Sequence, residues 1–294
     1  MTTIISAGLV RELRERTGAG MMECKKALEA SGGDIERAIE ELRKSGRTKA
    51  DKKAGRVAAE GIIVFADNGK QVAMMEINCE TDFVGRDANL GAFAKAAVET
   101  ALNARENDVA KLSALTMHGA SSTVEDARLN LVAKVGENVQ IRRIALSNPQ
   151  STTVGTYIHG SRIGVIVELD TDNKELARDI AMHIAASRPI VISPEQVPQD
   201  LVAKEKEIYM AQAATSGKPP EIIEKMVAGR LKKFLDEVSL TGQPFVKDPE
   251  TTVGALLNKH RAKVLAFQRF EVGEGIEKVV EDFKEAVMSQ VQGG

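Results

Sequence analysis

Along the first forty-five positions, apolar residues recur three and four apart. Leu9, Val10, Leu13 and Thr17 share one helical face, which Gly18-Ala19-Gly20 ends. Met21, Cys24 and Leu28 stripe a second helix, stopped by Gly32-Gly33. Ile35, Ala38, Ile39 and Leu42 stripe a third, with Asp34 placed to cap its first turn. This spacing predicts a three-helix bundle over residues 1–45, with a core too small for more than marginal stability alone. Residues 43–56, RKSGRTKADKKAGR, drop the stripe and read as an exposed, partly helical tether, with a basic linker at 46–57.

After the tether the period changes. GIIVFA and QVAMMEIN are strand-like and flank Asp67-Asn68-Gly69-Lys70, where Asn-Gly marks a hairpin turn. A helix is predicted from about Asp87 to Arg105, with Leu90, Phe93, Ala94, Ala97 and Leu102 as its apolar side. Another runs from Val124 to Val135, and NVQIRRIALS follows as a strand. The same order then recurs. TVGTYIHGSRIGVIVELDTD supplies two strands about a glycine-containing turn, and KELARDIAMHIAAS a helix carrying Leu176, Ile180 and Ile184 at four-residue spacing. TVGALLNKH and AKVLAFQRFEV add a helix and a strand, and the strand end MEINCETD has a counterpart in VELDTD. The expected fold is therefore α+β, with a core of two related α/β subdomains built on antiparallel sheets. Their expected spans are 58–150, and 151–193 with 239–274.

The second copy is interrupted. Between Pro194 and Val238 lie two long charged helices joined by TSGKPP, a helix-ending glycine followed by Pro-Pro. Leu201, Glu205, Ile208 and Gln212 face one way on the first, and Ile223, Met226, Val227, Leu231, Phe234 and Leu235 stripe the second. The insertion, 194–238, is expected to be a projecting αα-hairpin suited to meeting another chain. Ile276, Val279, Val280, Phe283 and Val287 predict an amphipathic helix over 275–294.

Composition narrows the function classes. With 294 residues, 43% hydrophobic and 28% charged, the chain has the make-up of a soluble protein of more than one domain. Its net charge of −2 gives no general attraction to polyanions, so nucleic-acid binding would need a local patch. The one candidate is 43–56, where Arg43, Lys44, Arg47, Lys49, Lys52, Lys53 and Arg56 stand against Asp51. It is either a solvated linker or a polyanion contact, and the lack of interleaved aromatics counts against base stacking. Cys24 and Cys79 have no partner at metal-ligand spacing, and two free thiols suit a reducing cytosol. There is no signal-peptide pattern and no run long enough to cross a bilayer, so a cytoplasmic location is expected.

Catalytic readings find little support. His118, His159, His183 and His260 are scattered, none beside a nucleophile in the arrangement of an activated pair. No phosphate-binding glycine loop of either common spacing is present, so no bound nucleotide is expected; the scattered histidines and the cysteine spacing add that no catalytic residue, metal or cofactor is expected. A thiol enzyme centred on Cys79 lacks an adjacent base. Met22 lies with Lys25, Lys26 and Glu29, off the striped face, where methionine adapts to partner surfaces. The sharpest question is posed by EINCETDFVGRD, residues 76–87, because aromatics make up only 3% of the chain and Phe83 sits in an acidic turn. Two roles fit it. Thr81 or Asp82 can cap a turn that Phe83 and Val84 staple to the next helix; alternatively, Phe83 stands outward as an anchor for a pocket on another protein.

RERTGAGMMECKKAL, INCETDFV, SLTGQPFV and RFEVGEGIE, in this order, resemble the signature segments of bacterial elongation factor Ts. The resemblance runs from Val10 to the terminal helix, and the inserted hairpin is similar to that of the family's long form. It implies a guanine-nucleotide exchange factor without cofactor, not an enzyme, acting on elongation factor Tu, the GTPase that delivers aminoacyl-tRNA to the ribosome. It also implies that the N-terminal bundle is a ubiquitin-associated-like (UBA-like) domain and that the hairpin is a dimerisation module. By the same resemblance, Thr81, Asp82, Phe83 and Val84 form the element that dislocates Mg²⁺ from the partner, with Asp82 and Phe83 entering beside its nucleotide site. Arg14, Met21 and Met22 would contact the partner from the bundle, and Val135, Gly136 and His159 from the core. No membrane or nucleic-acid contact is implied.

Overall fold

The structure is a computed structural model, and it describes residues 5–17, 19–215 and 218–277. The expected terminal helix falls, beyond its first residues, outside the described residues. The chain divides into two compact units. One comprises the residues up to Ala66, Met75–Ile144 and those after Phe270; the other comprises Ala145–Phe270 with the hairpin tip Asp67–Met74. Among the described residues no helix is long and apolar enough to cross a membrane.

The first unit opens with helices α1 (Ala7–Thr17), α2 (Met21–Ala30) and α3 (Ile35–Lys53). Strands β1 (Glu60–Asp67) and β2 (Val72–Cys79) follow, then α4 (Asp82–Gly85), α5 (Ala88–Ala104), α6 (Val109–Ala114), α7 (Val124–Val135) and β3 (Gln140–Leu146). Val10, Leu13, Cys24, Ala27, Leu28 and Ala38 make the bundle core. Asp34 caps α3 as its position predicts, its carboxylate accepting the Arg37 N–H at 3.1 Å.

One sequence expectation fails here and another holds only in part. Met21, assigned to the core stripe, is 61% exposed, close to the 64% of Met22. The stripe that packs is Cys24, Ala27 and Leu28; Met21 is the first residue of α2 and stands at its end, beyond the small core. The tether, expected to be exposed and partly helical, is helical as far as Lys53, about two turns past Gly46, but is not exposed throughout. Gly46 and Ala50 face inward, and α3 packs against α7, so tertiary contact overrides the poor helix propensity of glycine.

The three strands form one sheet in the order β1-β2-β3, and β2 is buried at every position. Gly61 in β1 adopts φ 144°, and a Cβ there would lie 2.0 Å from the Ile77 carbonyl oxygen. Gly61→Ala is therefore expected to cost about 3 kcal/mol or more through strain and overlap. Urea unfolding checks this, and a midpoint indistinguishable from the parent's would refute the tight crossing. The same unit buries a charge. The carboxylate of Glu76, fully inaccessible, accepts from Arg142 Nη1 at 3.0 Å, Arg143 Nε at 2.5 Å, Asn78 Nδ2 at 3.1 Å and the Gly273 N–H at 2.9 Å. The two guanidiniums also donate to the carbonyls of Glu274 and Glu271. One carboxylate thus ties β2, β3 and the turn at 271–274 together.

The second unit carries β4 (Thr153–His159), β5 (Ile163–Leu169), α8 (Lys174–Ser187), α9 (Gln199–Ala214), α10 (Pro220–Val238), β6 (Pro244–Phe245), β7 (Asp248–Thr252), α11 (Val253–Lys259) and β8 (Val264–Glu271). β4 and β5 pair antiparallel, from Thr153 opposite Leu169 to His159 opposite Ile163. Their sheet runs β4-β5-β8, matching the first unit's plan of a hairpin plus one later strand. Ile180, Ala181 and Ile184 of α8 pack with Val165, Val167 and Leu169 of β5 in the core. His183, on the helix that carries Ile180 and Ile184, is fully buried: it bonds Gln243 at 2.9 Å and accepts the Val246 N–H at 3.2 Å. Burial pushes its pKa down, so the ring is neutral.

The insertion is helical as expected, and its bases are joined. Ile190 N–H donates to the Val238 carbonyl, Leu240 N–H to Val191 and Thr241 N–H to Ile192, each at 2.9 Å. Val227 on α10 is buried, and Ile223, Met226, Leu231, Phe234 and Leu235 are half-buried, as the stripe predicts. On α9 the facing residues are Leu201, Glu205, Tyr209 and Ala213, whereas Ile208 and Gln212 are exposed. The inward face of α9 holds a four-residue step where the expected stripe takes a step of three.

Candidate functional site

β2 ends at Cys79, and the chain turns through Glu80 and Thr81 into the single turn of α4. Thr81 is extended, and its hydroxyl accepts the Val84 N–H at 3.4 Å, so the capping role expected of it is present. Val84 points inward and is buried, while Gly85 lies against Gly61 and the Cys79 sulfur. That leaves Phe83 outward at 81% exposure, the highest of any large apolar side chain among the described residues. The stapling role for Phe83 is thereby excluded; Val84 alone packs. Asp82 pairs with Arg86 at 2.9 Å on the surface, where solvent screens the attraction.

The turn is braced from an unexpected quarter. Gly136 ends α7 in the left-handed conformation, φ 81°, and directs the next residue back toward β2. Glu137 Oε2 accepts the N–H groups of Glu80 at 3.1 Å and Thr81 at 3.0 Å, and its Oε1 accepts the Thr81 hydroxyl at 2.6 Å. Glu80 returns the contact by accepting the Asn138 N–H at 2.6 Å, with Arg56 Nη1 3.6 Å from its other oxygen. Beneath, the Cys79 thiol donates to the Thr81 carbonyl at 3.1 Å. Burial, and then the nearby Glu137 and Glu60, push that thiol up to about 12. Buried and bonded to a carbonyl, the thiol is poorly placed to act as a nucleophile, which counts against the thiol-enzyme alternative.

The structure brings 81–84 and 135–136 to one place through Glu137. Arg14 and Met21 line a surface cleft of about 610 Å³ that they share with Ala133 and Lys134 of α7. Met22 is exposed beside them in sequence. His159 closes β4 in the second unit, exposed, its ring stacked on Tyr157 with centroids 6.4 Å apart. Of the basic stretch, Arg43 pairs with Asp126 at 2.6 Å, Lys44 with Glu41 at 3.4 Å and Arg56 with Glu80. Arg43 and Arg56 thus tie the stretch to α7 and to the turn after β2, while the Lys44 pair lies on the surface of α3. Among the described residues no group of His, Cys, Asp and Glu is placed to hold a metal ion. Glu80 and Glu137 went unseen in the sequence because their bonds span distant segments.

Fold and site together define an α+β protein of two units that carries an exposed phenylalanine on a braced turn. A profile of the family described as Elongation factor TS matches residues 80–274. The chain is 59% identical over 292 residues to the Elongation factor Ts of Thioalkalivibrio sulfidiphilus, covering 98% of this chain and 99% of that one. Its identity to the Elongation factor Ts of Francisella tularensis subsp. novicida is 57%, and to that of Legionella pneumophila subsp. pneumophila 55%, each with 98% of this chain and 99% of the relative covered. The chain belongs to the elongation factor Ts family.

Proposed function

We propose that this chain releases GDP from elongation factor Tu by inserting Asp82 and Phe83 beside the nucleotide site and dislocating its Mg²⁺. Membership of the family supports the broader role, nucleotide exchange on elongation factor Tu during translation elongation, and with it a place in the cytoplasm. The insertion is carried by one observation: Phe83 is exposed on a turn held by charged hydrogen bonds. A side chain so placed loses water only when another protein receives it.

A GTPase holds GDP partly through Mg²⁺, which neutralises phosphate charge and orders the switch segments. A factor that binds best to the distorted, metal-depleted pocket must weaken GDP by the same factor that GDP weakens it. Each tenfold gain in release needs about 1.4 kcal/mol off the barrier. Burying a phenylalanine side chain supplies roughly 1.5–3 kcal/mol. The rest of the binding free energy would come from Arg14, Met21 and Met22 on the bundle, Val135 and Gly136 beside the wedge, and His159. No bond is made or broken, so the chain acts by binding rather than by chemistry. The hairpin, with Ile208, Met210 and Ile222 exposed, is the surface proposed for dimerisation.

The test is release of fluorescent GDP from purified elongation factor Tu, with and without this protein, across Mg²⁺ concentrations. Acceleration should be greatest at millimolar Mg²⁺ and should shrink when a chelator has already removed the metal. Equal acceleration in both conditions would refute metal dislocation; no acceleration would refute exchange.

A further inference from the structure

Phe83 has little of its own protein to lean on, so its direction is set by the backbone of α4. That backbone starts at Thr81, whose N–H and hydroxyl are both held by the Glu137 carboxylate. The Thr81 hydroxyl is donor to Glu137 and acceptor from the Val84 N–H at once, so the carboxylate also fixes which way the cap points. Glu80, in return, holds the N–H of Asn138 on the turn that follows Gly136. Each of the two turns therefore supplies a carboxylate that satisfies backbone donors of the other. Hydrogen bonds to an ionised acceptor are about twice as strong as neutral ones.

We infer that Glu137 is a positioning residue for nucleotide exchange, and Glu80 its reciprocal: together they lock 81–84 and 135–136 into one preformed contact surface. The inference rests on the wedge role of Phe83 given above. Its physical content is preorganisation. A loop ordered before contact spends none of the binding free energy on ordering, so more remains to distort the nucleotide pocket. Loss of Glu137 should thus lower the maximal release rate more than the affinity for the GTPase. A merely structural carboxylate would lower thermal stability and leave the maximal rate of the folded fraction unchanged.

Stopped-flow release of fluorescent GDP from elongation factor Tu, over a range of factor concentrations, separates these. The variants are Glu137→Ala, Glu137→Gln, Phe83→Ala and the double variant Phe83→Ala/Glu137→Ala. Glu137→Ala is expected to lower the maximal rate about tenfold, as for one or two charge-assisted hydrogen bonds. Half-saturation should move less than about threefold, and Glu137→Gln, which keeps one acceptor oxygen, should recover part of the rate. In the Phe83→Ala background, the further loss from Glu137→Ala should fall below about twofold, because residues acting through one another are not additive. If Phe83→Ala slows release while Glu137→Ala matches the parent, or if the two losses add in full, the positioning role is overturned. If Phe83→Ala itself matches the parent, the wedge fails and the positioning role with it. Should Glu137→Ala not fold by circular dichroism, Thr81→Val removes the hydroxyl bonds at nearly constant shape and is judged by the same criteria.

Discussion

Phe83→Ala is expected to slow GDP release from elongation factor Tu by about ten- to a hundredfold, while the free protein unfolds at an unchanged temperature. The first half follows from burying a phenyl group on the partner, worth roughly 1.5–3 kcal/mol, at about 1.4 kcal/mol per decade of rate. The second half follows from exposure: removing a side chain that touches so little of its own fold should change stability by less than about 0.5 kcal/mol. Phe83→Leu should fall between, because it keeps apolar area but loses the ring's reach. Calorimetry and stopped-flow fluorescence on the same preparations make the comparison. Parent-like release by Phe83→Ala would end the wedge, and a lowered unfolding temperature would mean that the ring has a structural task.

Glu76→Ala should do the reverse. Its carboxylate lies fully buried among Arg142, Arg143, Asn78 and the Gly273 N–H. Removing one member of a buried pair typically costs about 3–5 kcal/mol, because the remaining charges and donors lose their partner. For a protein of this size that corresponds to a fall of on the order of 10 °C in the unfolding midpoint. The effect should centre on the first unit, since β2, β3 and the 271–274 turn meet at this carboxylate. A fall of less than about 2 °C would show that the arginines find water or other acceptors at little cost.

Much of the fold was legible from local signals. α5 and α7 begin and end where their caps place them, with Asp87 and Thr123 accepting backbone N–H groups at the starts. The recurrence of hairpin, helix and strand appears as two sheets of the same plan. What escaped was set by contacts between distant segments. The basic run 43–56 suggested an exposed tether, but the packing of α3 on α7 holds Gly46 buried inside a helix. Met21 has a core residue's spacing and an end residue's position, and only the size of the bundle decides between them. The small sheet of β6 and β7 and the short helix α6 carry too few residues to show a period. At the site, the oddity of Phe83 was visible in sequence, because an aromatic in an acidic turn conflicts with local rules. Glu137 was not visible: it follows a helix-ending glycine as any exposed acid might.

The joined bases of α9 and α10 carry a different consequence. The chain enters the insertion past Val191 and leaves it at Ser239, and these two already form a bridge. Excision of everything between would leave two ends within reach of a short splice, and no strand would change its neighbour. Loop-closure entropy grows only slowly with length, so lengthening, shrinking or exchanging this arm asks little of the body that carries it. The arm is a graft point by construction, a place where lineages, or protein engineers, can alter reach without reopening the core.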